Sequence, residues 1–164
     1  MDIDYDPPKT TIEQLSRNVL IFLLALMFIL TARNFFLMPG TVPIHFNISG
    51  EPDGYGSRWM IWLLPFIAVA TSLLIALVHK VPQYINYPVQ ITKENAQRQF
   101  LLVRQFLYVL NLMMVLIFAI IQLQQLRMAV AKPALFPMNL LLPIVLLLVF
   151  LPIAVYFYLS HRLK

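Results

Sequence analysis

Residues 38–57 read MPGTVPIHFNISGEPDGYGS and contain Gly40, Gly50, Gly54 and Gly56, all four glycines of the 164-residue chain. The same stretch carries His45, Asn47, Glu51 and Asp53, polar groups able to converge on a ligand. Long apolar segments lie on both sides of it. Glycine, proline and short polar side chains mark turns, whereas long apolar runs mark membrane helices. The stretch is therefore expected to be a folded loop at one membrane surface, carried by a small helical bundle.

Composition sets the environment. Hydrophobic residues make up 60% of the chain and charged residues 12%. Soluble domains are closer to about half apolar and a quarter charged. A chain this small has too little interior to hide that excess, so lipid must cover it. There is no cysteine, which removes disulfides, thiolate metal sites and a cysteine nucleophile. The formal charge of +5 fits loops facing anionic lipid. No basic run with interleaved aromatics is present, so nucleic acid is set aside.

Four spans are predicted, at about residues 19–37, 59–78, 101–123 and 140–159, each near the ~20 residues that cross ~30 Å of hydrocarbon. The loop 38–58 separates the first two, and the loop 79–100 separates the second and third. Met1 to Arg17 reads as a retained polar tail with a membrane-surface turn around Ile12 to Ser16; it lacks the basic start of a signal peptide. Pro65 is expected to kink the second span. The loop from Val81 to Thr92 contains Pro82 and Pro88, with an extended piece at Val89-Gln90-Ile91. Thr92 is the expected N-cap of the third helix, which should run from about Lys93 to Gln124. Asn111 falls near mid-membrane, where an amide seeks a partner on a neighbouring helix. The whole is a single all-α membrane domain of residues 1–164, a four-helix transmembrane bundle with a small extracytoplasmic cap in which short β pairing is open.

Eight lysines and arginines fall on the side of the termini and the loop 79–100, against four on the other side. The positive-inside rule then places both termini in the cytoplasm and the glycine-bearing loop outside.

Ile44-His45-Phe46-Asn47, followed by Gly50-Glu51-Pro52-Asp53-Gly54-Tyr55-Gly56-Ser57-Arg58, resembles a bacterial membrane family, the domain of unknown function 1648. Asn86-Tyr87-Pro88-Val89-Gln90-Ile91-Thr92-Lys93-Glu94-Asn95 is similar to that family's second signature. The resemblance covers roughly 38–104. The same module begins SdpI-like proteins, which protect a producer against its own peptide toxin and relay signals to a repressor. The resemblance implies a multi-pass protein of the bacterial inner membrane. This chain is shorter than full-length SdpI-like proteins, and no second module is read after Arg104.

The candidate ligand-binding residues are His45, Asn47, Glu51, Asp53 and Arg58. In an extended VPIHFN segment His45 and Asn47 share one face, and Ile44 and Phe46 share the other, toward the helix ends. A turn over 50–54 can return Asp53 to His45. Such a pair would bind a divalent metal or orient the imidazole as a base. The plainer alternative is a turn-capping Asp53 and a His45 bonded to backbone. Arg33 and Arg58 flank the loop and either clamp an anion or extend to the headgroups. Asn47-Ile48-Ser49 fits a glycosylation pattern, discounted in a bacterial setting. No catalytic residue and no cofactor is assigned. No Asp, Glu or Lys falls within a predicted hydrocarbon segment, which argues against a pump or proton-coupled transporter.

These features lead to a non-enzymatic protein that binds a peptide toxin or another membrane protein through the loop. The alternatives are a metal-dependent membrane hydrolase using His45, Glu51 and Asp53, or a structural subunit of a larger complex. Its certain partner is the lipid bilayer; its oligomeric state is open.

Overall fold

A computed structural model describes residues 9–47, 51–81, 84–133 and 135–164. The start of the polar tail, the Ile48-Ser49-Gly50 part of the loop and the Pro82 turn lie outside the described residues. The chain forms helix α1 (Thr11–Phe35), strands β1 (Thr41–Phe46) and β2 (Pro52–Ser57), helix α2 (Leu63–Val78), helix α3 (Ala96–Ala129) and helix α4 (Leu141–Arg162). Short 3-10 turns, Arg58–Trp62 and Met138–Leu140, lead into α2 and α4. Among the described residues, four helical segments are long and apolar enough to cross a membrane. They form the expected four-helix membrane bundle, and β1 and β2 form a small antiparallel sheet at one end of it.

Helix α1 starts at Thr11, well before residue 19, and absorbs the turn expected at Ile12 to Ser16. The cause is a capping box. The Thr10 hydroxyl accepts from the Glu13 N–H at 3.4 Å, and the Glu13 carboxylate accepts from the Thr10 N–H at 2.9 Å. This pairing satisfies two of the donors that a helix start leaves open. Glu13 does a second job. Its carboxylate accepts from Arg104 Nε of α3 at 2.8 Å, with the Glu13 side chain fully buried and Arg104 11% exposed.

Helix α3 is the axis of the bundle and packs against α1, α2 and α4. At about 1.5 Å per residue its 34 residues outrun the ~30 Å hydrocarbon layer. Buried glutamines tie it to its neighbours. Gln99 donates to the Ser160 and Leu163 carbonyls at 3.0 and 3.2 Å and accepts from the Ser160 hydroxyl at 2.7 Å. Gln122 donates to the Met27 carbonyl at 3.3 Å and to the Thr31 hydroxyl. Gln124 holds the connection to α4 through the Phe136 carbonyl and the Leu135 N–H. Asn111 reaches α2, its amide donating to the Ser72 carbonyl at 3.5 Å.

Other sequence expectations change as well. Asn95, not Thr92, precedes α3 as its cap residue; its side chain turns back to bond the Thr92 N–H and the Gln90 carbonyl. Residues 89–91 form no strand. Pro65 falls in the first turn of α2, where its missing N–H has no intrahelical partner to lose, and Pro152 is the proline inside a helix.

Arg104→Leu strands a fully buried Glu13 carboxylate and is expected to destabilise the bundle by about 3–5 kcal/mol. Adding Glu13→Gln, which keeps the capping geometry, should restore most of that loss. Unfolding of the detergent-solubilised single and double variants measures both.

Candidate functional site

The hairpin is seated on the bundle by its first strand. Val42 is fully buried and packs with Phe35, Met38, Ile61, Leu126 and Ala129. The Gln125 side chain of α3 donates to the Pro43 carbonyl at 3.2 Å. At the base of the hairpin the Arg58 N–H donates to the Gly40 carbonyl at 3.0 Å. Around this base Phe36, Leu37, Tyr55 and Trp59 are exposed. Such a belt of large apolar and aromatic side chains is what the headgroup region favours.

The register is not regular. Thr41 pairs with Ser57, Val42 with Gly56 and Pro43 with Tyr55, but His45 pairs with Gly54 and Phe46 with Pro52. Ile44 on β1 and Asp53 on β2 are therefore each an extra residue, one bulge per strand. Bulges re-aim side chains. The expected alternation fails here for that reason: Val42 and Pro43 are the buried positions, and Ile44 is 40% exposed.

The two bulges place His45 against Asp53. His45 Nδ1 lies 2.5 Å from Asp53 Oδ1. Both side chains are open to solvent, 72% and 44% exposed. In the neutral imidazole the proton then sits on Nδ1, facing the carboxylate, and Nε2 carries the lone pair for another partner. An exposed pair of this kind contributes only about 0–1 kcal/mol to stability. Stability therefore gives no account of why two bulges and a glycine are spent on it.

Gly54 is that glycine. A Cβ added there would lie 2.9 Å from His45 Cβ, so the strands meet this closely only because Gly54 lacks one. At Gly56 the nearest atom to an added Cβ is Ile44 Cδ1, the mobile end of a side chain.

The other expected site residues do not all join the pair. Asn47 and Glu51 close the hairpin: the Asn47 N–H donates to the Glu51 carbonyl, and the Glu51 N–H donates to Asn47 Oδ1, both at 2.9 Å. Arg58 sits at the opposite end of the ladder, roughly 13 Å from His45 at ~3.3 Å per residue. Its guanidinium lies 4.8 Å above the Phe35 ring, a cation–π contact. Among the described residues no group of three His, Cys, Asp or Glu side chains gathers anywhere, so the dyad gains no third acidic or imidazole ligand. The Thr10-x-x-Glu13 spacing is a sequence signal for Glu13 as a capping residue, but nothing local marks Arg104 as its partner.

Fold and site together define a multi-pass membrane protein with a bulged, membrane-seated hairpin displaying a His–Asp pair. Residues 22–69 match the sequence model of the family described as domain of unknown function DUF1648. That match takes in most of α1, the hairpin and the start of α2; the 86–95 stretch lies outside it. An uncharacterized protein of Archaeoglobus fulgidus is 35% identical, over 54% of this chain and 52% of that protein. The chain thus spans about half the length of that curated relative. No solved structure matches.

Gly54→Ala should separate His45 from Asp53 and destabilise the hairpin by about 1–3 kcal/mol, whereas Gly56→Ala should be milder. The His45 imidazole resonances and hydrogen exchange of the β1–β2 amides report the difference.

Proposed function

We propose that this protein is a non-enzymatic membrane receptor for a cationic, membrane-active peptide, bound at the His45–Asp53 face of the hairpin. The carrying observation is the solvent-open dyad, built by one bulge on each strand of a hairpin that is anchored to the bundle. Between Thr41 and Ser57 the charged residues are Glu51 and Asp53, with no Lys or Arg. A basic peptide adsorbed to the bilayer meets an anionic edge at the level of the headgroups, where like-charged ligands are disfavoured. Nε2 of His45 accepts from a peptide donor, and the Asp53 carboxylate pairs with an ammonium or guanidinium.

The resemblance to SdpI-like proteins supports the same reading: protection of a bacterial inner membrane against a peptide toxin. The lysine and arginine distribution supports both termini on the cytoplasmic side, with the hairpin outside. Residues 1–164 then act as a single domain. The metal-dependent hydrolase reading finds less support, because Glu51 is engaged through its backbone in closing the hairpin and its side chain joins no cluster of ligands with His45 and Asp53.

The test is binding of an amphipathic lysine-rich peptide to the full chain in nanodiscs, with His45→Ala/Asp53→Ala beside it. A loss of tenfold or more in affinity at unchanged fold supports the dyad as the contact; equal affinity overturns it. Survival of a sensitive bacterium expressing either form, challenged with the same peptide, then reads the immunity role.

A further inference from the structure

A crevice of about 270 Å³ lies among α1, α2 and α3, at the end of the bundle away from the hairpin. Its walls are aliphatic, with Leu20 and Leu24 from α1 and Val69 and Leu73 from α2. Leu73 is 62% exposed, so the crevice opens sideways toward lipid. Arg17 also stands on its lining.

Ser72, Asn111 and His79 line this crevice, and each carries a buried polar atom with no hydrogen-bond partner among the described residues: Ser72 Oγ, Asn111 Oδ1 and His79 Nε2. Ser72 and Asn111 are 8% and 6% exposed. Bare polar groups at this depth are costly, because hydrocarbon offers them no substitute for water. One crevice collects three of them, on two different helices and at the end of one. Tyr108 stacks on His79 at 4.4 Å between ring centroids and holds the imidazole in place.

The unmet bonding defines the missing chemistry. Asn111 Oδ1 is an acceptor and needs a donor. The Ser72 hydroxyl both gives and takes. Burial draws the His79 proton affinity below its ordinary value, with the Glu13 carboxylate opposing and Arg104 reinforcing. That direction favours the neutral imidazole, in which one nitrogen donates and the other accepts. A carboxylate or phosphate would suit Arg17 but would set acceptor against acceptor at Asn111, so the oleate arm of the test decides between them. An ammonium head would find no anion on the lining. A hydroxyl meets all three groups. The crevice also exceeds by severalfold the ~30 Å³ share of one liquid water, and its aliphatic walls suit an alkyl chain.

We propose that this crevice binds a neutral lipid with a hydroxylated glycerol head, its hydroxyls paired with Ser72, Asn111 and His79 and its chain lying along Leu20, Leu24, Val69 and Leu73. This site is separate from the hairpin and does not depend on the peptide-binding reading.

The full chain is purified in an amine-oxide detergent, which has no hydroxyl group, and mixed with 1-monooleoylglycerol, methyl oleate or oleate. Native mass spectrometry counts adducts, and thermal unfolding reads stabilisation. A 1:1 adduct with 1-monooleoylglycerol, at least tenfold tighter than with methyl oleate or oleate, is expected. Ser72→Ala/Asn111→Leu removes two bare polar atoms together with the Asn111 bond to the Ser72 carbonyl, so Ser72→Ala, which keeps that bond, is measured beside it; both should unfold as the wild type does or nearly so, and each should lose affinity, the double variant tenfold or more. His45→Ala/Asp53→Ala should bind as the wild type does. No adduct, equal binding of the three probes, or undiminished binding by the Ser72/Asn111 variant overturns the proposal.

Discussion

Hydrocarbon offers no hydrogen bonds, and among the described residues α3 carries five of the eleven buried polar side chains, more than any other helix, that must therefore find partners inside the protein. Its glutamines and Asn111 reach α1, α2, α4, the hairpin and the connection to α4. Dispersion packing between apolar helices is weakly directional, since lipid tails are as apolar as leucine. The polar bonds supply the direction. They fix which helix neighbours α3 and at what height, and so they set where the hairpin rests.

The hairpin inherits its position from this arrangement. Val42 fills a pocket made by the ends of α1 and α3 together with Ile61 before α2, and Gln125 fixes the strand at Pro43. With the base immobile, the two bulges aim His45 and Asp53 at each other in open solvent. Rigid support beneath an exposed polar pair is the arrangement that recognition sites use, because the ordering is done before the partner arrives.

The four spans were legible in the sequence because each is a long apolar run, and the hairpin because every glycine of the chain falls beside it. A turn able to return Asp53 to His45 was legible, but so was a turn-capping Asp53 with His45 bonded to backbone, and the sequence left the two open. The bulges at Ile44 and Asp53 were not legible. They depend on which residues pair across the strands, and period-two alternation assumes a regular register. The early start of α1 was written in Thr10-x-x-Glu13, but polarity around it reads as tail when a helix is sought by hydropathy alone. Asn95 displaced Thr92 as cap because its amide satisfies two backbone groups at once, the Thr92 N–H and the Gln90 carbonyl. Arg104 as the partner of Glu13 is a contact across 91 positions, beyond any local pattern.

Helix α4 packs chiefly on α3 and on its own leading turn. During synthesis α1, α2, α3 and the hairpin are therefore in the membrane and able to assemble before α4 emerges. Until then Gln99 waits as a bare amide on α3, and the Ser160 end of α4 is what finally covers it. The last helix thus works as a closing latch, and a chain interrupted before residue 160 would leave that amide without the partners it has in the full bundle.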